Sequence, residues 1–555
     1  MKKILVLSAT AVALCLTTVS VSAGFVTPRV PPSANPDAAQ LAADLAFAPN
    51  SLPVVRTVTN VRDTGAGSLR QAIASSASGD VINFSVKLPA IIALSSPLVI
   101  VQGLTVLGPD PTNLTVMRST VKNTPSFRVF DVEAGVVTLA GMTIRNGSAF
   151  SGSNLHDNVG GGIFNRGLLT VSNCVITANS APTTDWGTNV SPRESIGFGA
   201  GIFSDNGSQL ALFNCTISTN QASAAGGGVC TYESASFFAR GCTLSSNFAK
   251  LQGGGLNFQG HVGILQNCTI IGNTTTTNGA GSGIANVAFE AESPTTLTLT
   301  ACTVTGNTGT PNGAFAIAGL NENLGLTNRL LSTLISANAG PGVSFFGTFT
   351  FESLGHNLDS DGTSGLVNGV NGDLVGTAAS PINAKLSVLQ TNGGPTLTVA
   401  LLPGSPALGA AACSDANGAP LTVDQRGFPR PHVTGCDIGA FENQTPTLIC
   451  PASQTLTYDG RTLPSASLVA TVADADGDAL SVVWSVNSIA RQTNNVAATQ
   501  PPKSQTVTFK SSYSLGTNIV TVWVSDSKAV PMACSTSVIV RPKKAVALQA
   551  VPNAL

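Results

Sequence analysis

The sequence repeats one motif five times between Gly160 and Asn307, and this repeat restricts the possible folds more than any other feature. Each copy begins with a triplet of small residues, continues with an aliphatic residue, and then contains Cys-x-Ile/Leu/Val with an Asn five residues after the Cys. The third residues of the triplets are 39, 27, 27 and 28 residues apart, at Gly162, Gly201, Gly228, Gly255 and Gly283. A period in the twenties is typical of a solenoid with one supersecondary unit per repeat.

The segments between the turns of each copy favour strands over helices. Gly-rich and Asn-rich breaks divide every copy into short runs that are rich in Val, Ile, Thr and Leu, as strands are. Two or three short strands per turn of the solenoid predict an all-β fold, a parallel β-helix.

Stacking of the coils should convert the repeated residues into ladders, because equivalent positions of successive coils lie about 4.8 Å apart. An amide both donates and accepts hydrogen bonds, so each repeated Asn can satisfy its neighbours and the turn backbone. The aliphatic residue two positions after each Cys is expected to point into the bore together with the thiol. The two predicted ladders are Cys174, Cys215, Cys242, Cys268 and Cys302, and Asn179, Asn220, Asn247, Asn273 and Asn307.

The first residues of the chain indicate export. Two Lys, an apolar run from Ile4 to Leu16 and small residues before Gly24 predict a signal peptide over residues 1–23. Residues 24–52 are rich in Pro and Ala and are interpreted as a linker. No later run reaches the roughly 18 apolar residues that a membrane-spanning helix requires. We therefore expect a secreted or cell-surface protein with no transmembrane span after cleavage.

A short amphipathic helix is predicted where the solenoid begins. Ser68 can cap it, Gln71 stands at the third position of a capping box, and Leu69, Ala72 and Ile73 share one face. Such a helix would cover the apolar bore and the unpaired strand edge at the open end.

Charge and aromatic content exclude some partners. The chain has 27 Lys and Arg against 28 Asp and Glu, and charged residues make up 10% of it, where roughly 25% is usual. This sparse and balanced charge offers no field that would attract nucleic acid or anionic lipid. With only three Trp and three Tyr, the aromatic platforms that sugar-binding proteins often use are scarce.

Motifs at the end of the solenoid resemble a known group of proteins. They are Gly393-Gly394-Pro395, Pro403-Gly404-Ser405-Pro406-Ala407, Asp424-Gln425-Arg426-Gly427 and the run from Cys436 to Glu442, together with Gly67 to Ile73 near the N-terminus. The chain from Arg56 to Glu442 thus resembles exported bacterial right-handed parallel β-helix proteins of the choice-of-anchor Q type. The Gly-Gly-Gly-Ile and Asn repeats are similar to those of polymorphic outer-membrane proteins.

This resemblance implies a pectin-lyase-like fold, a right-handed parallel β-helix over residues 53–443, on an exported bacterial protein. It implies no reaction, because the group has no family-wide catalytic motif that could be transferred to this sequence.

A different pattern begins at Gln444. About a hundred residues of short alternating strands, with an apolar-flanked Trp484, predict a small immunoglobulin-like β-sandwich over residues 444–542. It is similar to the small repeat-type sandwich modules of bacterial surface proteins. Residues 543–555 are expected to be a disordered tail.

Four cysteines outside the repeats form two natural pairs. Cys413 with Cys436 would fasten the end of the β-helix, and Cys450 with Cys534 would join the first and last strands of the sandwich. Export makes oxidation of both pairs plausible. The ladder cysteines are predicted to be buried free thiols that act as small hydrophobic side chains, since zinc binding would need a Cys-x-x-Cys motif or a nearby His.

Calcium is the one metal that the sequence suggests, and no metal site is assigned. The Asp474-x-Asp476-Gly-Asp478 segment offers the several carboxylates that a hard cation prefers. The late Glu of a calcium-hand loop is missing, because Ser485 occupies that position, and Asp and Gly are also ordinary turn residues. Asp359-Ser-Asp361-Gly is a weaker match.

The candidate ligand-binding face lies on the N-terminal coils. Two long connections, residues 147–159 and 180–198, leave these coils, and such insertions often form the binding face of repeat proteins. Arg166 lies four residues after Gly162 and Asp205 four residues after Gly201, so stacking should place them on one face. Inert loops and an exposed ion pair are the alternative interpretation. The candidate residues are Arg166, Asp205, Glu233, His156, Asp157, Asp185, Trp186, Arg193 and Glu194.

Two classes of function remain. The first is an adhesin-like or structural scaffold protein that binds a polysaccharide or cell-surface glycan, with Arg166 or Arg193 meeting polar groups and Trp186 stacking on a sugar ring. The second is a polysaccharide lyase or glycoside hydrolase, because long β-helices offer a groove for extended sugars. The enzyme is less favoured, since the sequence has neither an Asp-Asp pair nor a Gly-His-Gly motif, and fold analogy is a weak argument for activity.

Overall fold

The computed structural model describes residues 53–150, 156–182, 197–233, 235–276, 281–288, 295–309, 315–319, 326–338, 343–346, 349–431, 435–499, 502–528 and 531–543. The predicted signal peptide, the predicted linker and all but the first residue of the predicted tail lie outside these residues. So do Asp185, Trp186, Arg193 and Glu194. In the part of the chain that is described, no helix is long and apolar enough to cross a membrane.

The predicted fold is confirmed, because three long parallel sheets wind into a right-handed β-helix. The strands of sheet A are Val55–Val58, Asp80–Phe84, Leu104–Leu107, Val136–Ala140, Leu168–Ser172, Gln209–Phe213, Ser236–Arg240, Val262–Gln266, Thr295–Thr300, Leu326–Leu331 and Phe349–Gly355. Those of sheet B are Ala90–Leu94, Leu114–Arg118, Thr143–Arg145, Val175–Thr177, Thr216–Ser218, Thr243–Ser245, Thr269–Ile271, Thr303–Thr305, Leu334–Ser336, Leu358–Asp359 and Leu374–Val375.

Sheet C completes each triangular coil, and a short fourth sheet extends four of them. The strands of sheet C are Leu98–Ile100, Phe130–Val132, Ile163–Asn165, Ile202–Ser204, Val229–Thr231, Leu256–Phe258, Ile284–Ala288, Phe315–Gly319 and Val343–Phe346. Those of the fourth sheet are Ser180–Ala181, Gln221–Ala222, Phe248–Ala249 and Thr274–Thr275.

The small-residue triplets are explained by the close approach of successive coils. A Cβ atom added at Gly255 would lie 2.6 Å from the carbonyl oxygen of Gly283 and 3.1 Å from the side chain of Asn273. The third position of each triplet therefore excludes larger side chains.

The turns between the sheets use left-handed backbone. The residue before each ladder Cys has a positive φ, for example 47° at Asn173 and 52° at Asn214, and Asn tolerates this region better than most residues. The residue before each ladder Asn does the same, as at Ala178 with a φ of 53°. Each coil thus has two sharp corners, one on each side of its sheet B strand.

Both predicted ladders are internal. Each Asn donates its side-chain amide to the side-chain oxygen of the next Asn at 2.9–3.0 Å, from Asn179 to Asn307. The series continues to Asn338 at 3.1 Å, one coil beyond the five repeats. The five ladder cysteines are buried free thiols in the main apolar core, each with the aliphatic residue two positions later.

A helix covers the N-terminal end as expected. Helix α1 (Leu69–Ser75) has Ser68 as its N-cap, whose side-chain oxygen accepts a hydrogen bond from the backbone N–H of Gln71 at 3.2 Å. Leu69, Ala72 and Ile73 are its buried residues and belong to the same core as the bore.

The C-terminal part of the predicted β-helix range is not solenoid. The last strand that pairs with the coils is Leu374–Val375, after a 3-10 turn at Val370–Gly372. The chain then runs back along the outside of sheet B, where Gln425 accepts a hydrogen bond from Thr269 at 2.6 Å and the backbone N–H of Ala440 donates one to the hydroxyl oxygen of Thr303 at 3.0 Å. The Cys413–Cys436 disulfide joins two points of this returning segment.

Two further sheets form a small β module after Gln444. One contains Thr447–Ile449, Ser465–Ala473 and Gln505–Ser512, and the other contains Gln454–Tyr458, Met532–Pro542, Gly516–Ser525, Leu480–Val486 and Ile489–Val496. All their described pairings are antiparallel except that of Gln454–Tyr458 with Met532–Pro542. The two sheets share one core around Trp484, which is fully buried. The predicted Cys450–Cys534 disulfide is present.

Candidate functional site

The outer face of sheet C carries a row of charged and aromatic residues on the N-terminal coils. In the strand Phe130–Val132 the two apolar residues point into the bore, so the alternation of the strand turns Asp131 outward. Parallel register places Phe164 beside Asp131, and Phe203 beside Phe164. This regular stacking makes neighbours of residues that are more than thirty positions apart in sequence.

Arg166 is the centre of the charged residues on this face. Its Nη1 atom lies 2.6 Å from Oε2 of Glu133 and its Nε atom 3.4 Å from Oδ2 of Asp205. His156 Nδ1 is 3.3 Å from the same Asp205 oxygen. The side chains of Arg166 and His156 are 34% and 42% exposed, so the cluster is accessible to a ligand. We call Arg166, Glu133, Asp205 and His156 the Arg166 face.

Two arginines cover the buried ring of Phe164. The guanidinium carbons of Arg128 and Arg166 lie 4.3 Å and 4.5 Å from the ring centroid, within the range of cation–π contact. The ring also stacks against Phe203 at 5.9 Å. Phe164 therefore holds both guanidinium groups in place on the sheet.

Arg128 and Asp131 extend the Arg166 face towards the N-terminus. Arg128 donates from Nη2 to the backbone oxygen of His156 at 2.5 Å, and its Nη1 atom is 3.7 Å from Oδ2 of Asp131. Burial raises the pKa of Asp131, and the nearby carboxylate of Glu133 adds to this shift, although Arg128 and Arg166 act against it.

The structure brings together only some of the residues that the sequence predicts for the ligand-binding face. Arg166, Asp205 and His156 come together, and Asp157 follows His156 directly. Glu233 lies further along, where it accepts a hydrogen bond from Asn206 Nδ2 at 2.6 Å. It has no direct contact with Arg166 among the described contacts.

Four residues of this region were not singled out by the sequence: Arg128, Asp131, Glu133 and Phe164. Arg128, Asp131 and Glu133 precede the first complete repeat, so the repeat register does not reach them. Phe164 and Phe203 occupy equivalent positions two residues after the triplets. This repeated position could have predicted a row of aromatic residues on the outer face of sheet C.

A second cluster of charges is buried where the returning segment meets the β module. Arg426 is fully buried and pairs with Asp424 at 2.8 Å and with Asp476 of the module. Its guanidinium lies 3.6 Å from the ring centroid of Phe441. The neighbouring pair of Arg430 with Glu442, at 3.0 Å, is buried as well. Because every partner belongs to the chain itself, this cluster is structural.

The acidic segment of the β module has the geometry of a cation site, but two of its three carboxylates pair with basic groups. One oxygen each of Asp474, Asp476 and Asp478 lies within 4.8 Å of the others. Asp476 accepts from Arg426 and, at 2.7 Å, from the backbone N–H of Gln444. Asp478 pairs with Lys528 at 2.7 Å. Calcium binding here stays a prediction that competes with these basic groups.

The side chain of Asp359 stabilises the turn that follows it. Its carboxylate accepts from the backbone N–H groups of Ser364 at 2.9 Å and of Asp361 at 3.3 Å. These bonds explain the Asp-x-Asp-Gly sequence without a metal ion.

Comparisons with known proteins add little to this geometry. No protein-family model matches the chain, and no curated protein matches it. The structure is similar to the crystal structure of Dettilon tailspike protein, with a TM-score of 0.29 and 11% sequence identity over 85% of this chain and 78% of that chain. A TM-score this low supports no conclusion about function.

Proposed function

We propose that this chain is an exported β-helix protein that binds glycans through the Arg166 face, as an adhesin-like or scaffold protein of the bacterial surface. The observation that carries the proposal is the position of the Arg166 guanidinium between the carboxylates of Glu133 and Asp205, at 2.6 Å and 3.4 Å. The two disulfides fit the oxidising environment outside the cell.

The chemistry of the face suits hydroxyl-rich ligands. A sugar hydroxyl group both donates and accepts hydrogen bonds, and the face offers a guanidinium donor next to carboxylate acceptors. A few convergent polar groups on a rigid surface are also what orients a bound small molecule. The coils under the face are held by in-register strands. A ligand therefore does not have to order this part of the protein when it binds.

A glycan array tests the proposal, with Arg166→Ala as the main variant. We expect Arg166→Ala to weaken binding severalfold and to leave the melting temperature within a few degrees of wild type, because half-exposed ion pairs contribute about 0 to 1 kcal/mol. Arg329→Ala is the matched control: Arg329 is 32% exposed and pairs with Glu352 at 2.9 Å on a distant coil. Equal glycan binding by wild type and Arg166→Ala would contradict the proposal.

A second candidate function is glycoside hydrolysis, and the two carboxylates that flank Arg166 are the observation in its favour. Hydrolases of this fold class need paired carboxylates on one face, which act as acid and as base or nucleophile. A reducing-end assay on the glycans that bind would detect this activity. It should then be lost in both Glu133→Gln and Asp205→Asn.

A further inference from the structure

An open cleft of about 400 Å³ lies beside the Arg166 face. This volume is within the range of small-molecule sites, about 300 to 1,000 Å³. The lining includes Ser96, Pro97, Pro125, Arg128, Asp131 and Phe150. Arg128 links the cleft to the Arg166 face, because it lines the cleft and contacts the ring of Phe164 that Arg166 also contacts.

One wall of the cleft is held rigid by helix α1. Arg70 of this helix donates to the backbone oxygens of Ser96 at 2.8 Å and Pro97 at 2.6 Å. The same guanidinium pairs with Asp63 at 2.6 Å, and Asp63 in turn accepts from the backbone N–H of Ser95 at 2.9 Å. The backbone of this wall is therefore fixed before any ligand arrives.

The remaining walls are largely apolar. Phe150 is 53% exposed, although it is a large aromatic side chain beside a cavity. Pro97 and Pro125 add rigid aliphatic surface. The C–H face of a pyranose ring can pack on such a surface, as apolar groups do on aromatic side chains generally.

Asp131 supplies the carboxylate that lines the cleft. Its Oδ1 atom is buried and has no hydrogen-bond partner, and its Oδ2 atom is 3.7 Å from Arg128, which is too long for a hydrogen bond. Arg128 is held elsewhere, by the backbone oxygen of His156 and the ring of Phe164. The Oδ1 atom can therefore accept a hydrogen bond from a ligand hydroxyl group, while Oδ2 keeps its ion pair with Arg128.

We infer that this cleft binds a neutral pyranose residue of a glycan, with sugar hydroxyl groups donating to Asp131 and the ring packed against Phe150. A hydroxyl-rich ring can donate a hydrogen bond to Oδ1 of Asp131 and matches the apolar walls. A uronic acid would instead bring a third carboxylate next to those of Asp131 and Glu133. The inference rests on the proposed glycan-binding function and assigns the sugar class.

The test measures the affinities of neutral oligosaccharides (gluco-, manno- and galacto-oligosaccharides) and of oligogalacturonate for the intact protein. We expect wild type to prefer a neutral oligosaccharide. Asp131→Asn and Phe150→Ala should each weaken its binding about tenfold, the effect of losing one charge-assisted hydrogen bond or one ring contact. The controls are Asp415→Asn and Val121→Ala, which change a carboxylate on the returning segment and an exposed apolar side chain that does not line the cleft.

The outcomes separate the two proposals. If Arg166→Ala weakens binding but Asp131→Asn and Phe150→Ala do not, the cleft inference is wrong and the proposed function stands. Stronger binding of oligogalacturonate than of every neutral oligosaccharide would also overturn the inference. If wild type binds no member of either class, the glycan-binding function itself fails.

Discussion

The side-chain amide of Asn247 donates a hydrogen bond to the side-chain oxygen of Asn273 at 3.0 Å, one coil further along the β-helix. The same oxygen of Asn273 accepts from the backbone N–H of Asn247 at 3.0 Å, and Asn247 plays the identical acceptor role for Asn220. Each Asn thus fastens two coils, and both residues are fully buried.

Replacing Asn247 by Leu should lower the free energy of unfolding. The change removes the acceptor for two donors of Asn220 and the donor to the backbone oxygen of Ile217, and each buried group without a partner costs about 1 to 3 kcal/mol. Thermal unfolding measures the effect. Asn417→Leu is the control, because Asn417 is exposed. Equal melting temperatures for Asn247→Leu and wild type would show that the ladder does not stabilise the coils.

The thiol count should separate buried cysteines from disulfides. Denatured without reductant, the mature protein should show six reactive thiols, the five of the ladder and Cys230. In the native protein at pH 8 these thiols should react slowly, because all six are buried away from the reagent. Burial also raises the pKa of Cys174, Cys242 and Cys302, and that of Cys230 to about 12, and the thiolate is the reactive form. A count of zero after denaturation would indicate bridges between coils instead.

Loss of Arg426 should destabilise the junction between the returning segment and the β module. Arg426→Met leaves the carboxylates of Asp424 and Asp476 buried without their cation, and breaking a buried pair costs about 3 to 5 kcal/mol. Arg329→Met breaks an exposed pair with Glu352 and should cost about 0 to 1 kcal/mol. Urea denaturation compares them, and similar midpoints for the two variants would refute the structural role of Arg426.

Asp474 should make the stability depend on pH in the acid range. Burial raises its pKa to about 6, and the charges of Asp478 and Asp526 add to the shift, while backbone N–H groups of Asp476 and Asp478 oppose it. The folded protein therefore binds more protons than the unfolded chain between about pH 4 and pH 6. Stability from this group is present below about pH 4 and is lost as the pH rises to about 6.

Asp474→Asn removes this dependence and keeps an acceptor for the backbone N–H groups of Asp476 and Asp478. It should raise the free energy of unfolding at pH 7 by roughly 2 to 3 kcal/mol, about 1.4 kcal/mol for each pKa unit, and have little effect at pH 4. Melting curves at the two pH values test this. Stabilisation of wild type by millimolar calcium, absent in the variant, would instead support the calcium interpretation of the loop.

The sequence was sufficient for the features that recur in every coil. Because the coils stack in register, residues 27 positions apart in sequence contact each other in the fold. The positions of Cys242 and Asn247 within one copy therefore predict both ladders. Helix α1 was predictable from Ser68 and the apolar spacing of its face, since capping and amphipathicity are local properties.

Features that occur once were not predictable in this way. The backward course of the chain after Val375 depends on contacts such as Gln425 with Thr269, across 156 residues of sequence. Arg426 lies in a motif recognised in the sequence. Its partner Asp476 belongs to the β module, far away in sequence, so the sequence did not predict this ion pair. Asp131 was missed because it precedes the repeats and resembles any other strand residue.

Hydrogen–deuterium exchange, with and without the oligosaccharide that binds most strongly, measures whether the N-terminal coils bind glycan. We expect slower exchange in peptides that contain Arg128, His156 and Asp205, and unchanged exchange in residues 446–542. Protection confined to residues 446–542, or none in the N-terminal coils at saturating oligosaccharide, would contradict this expectation.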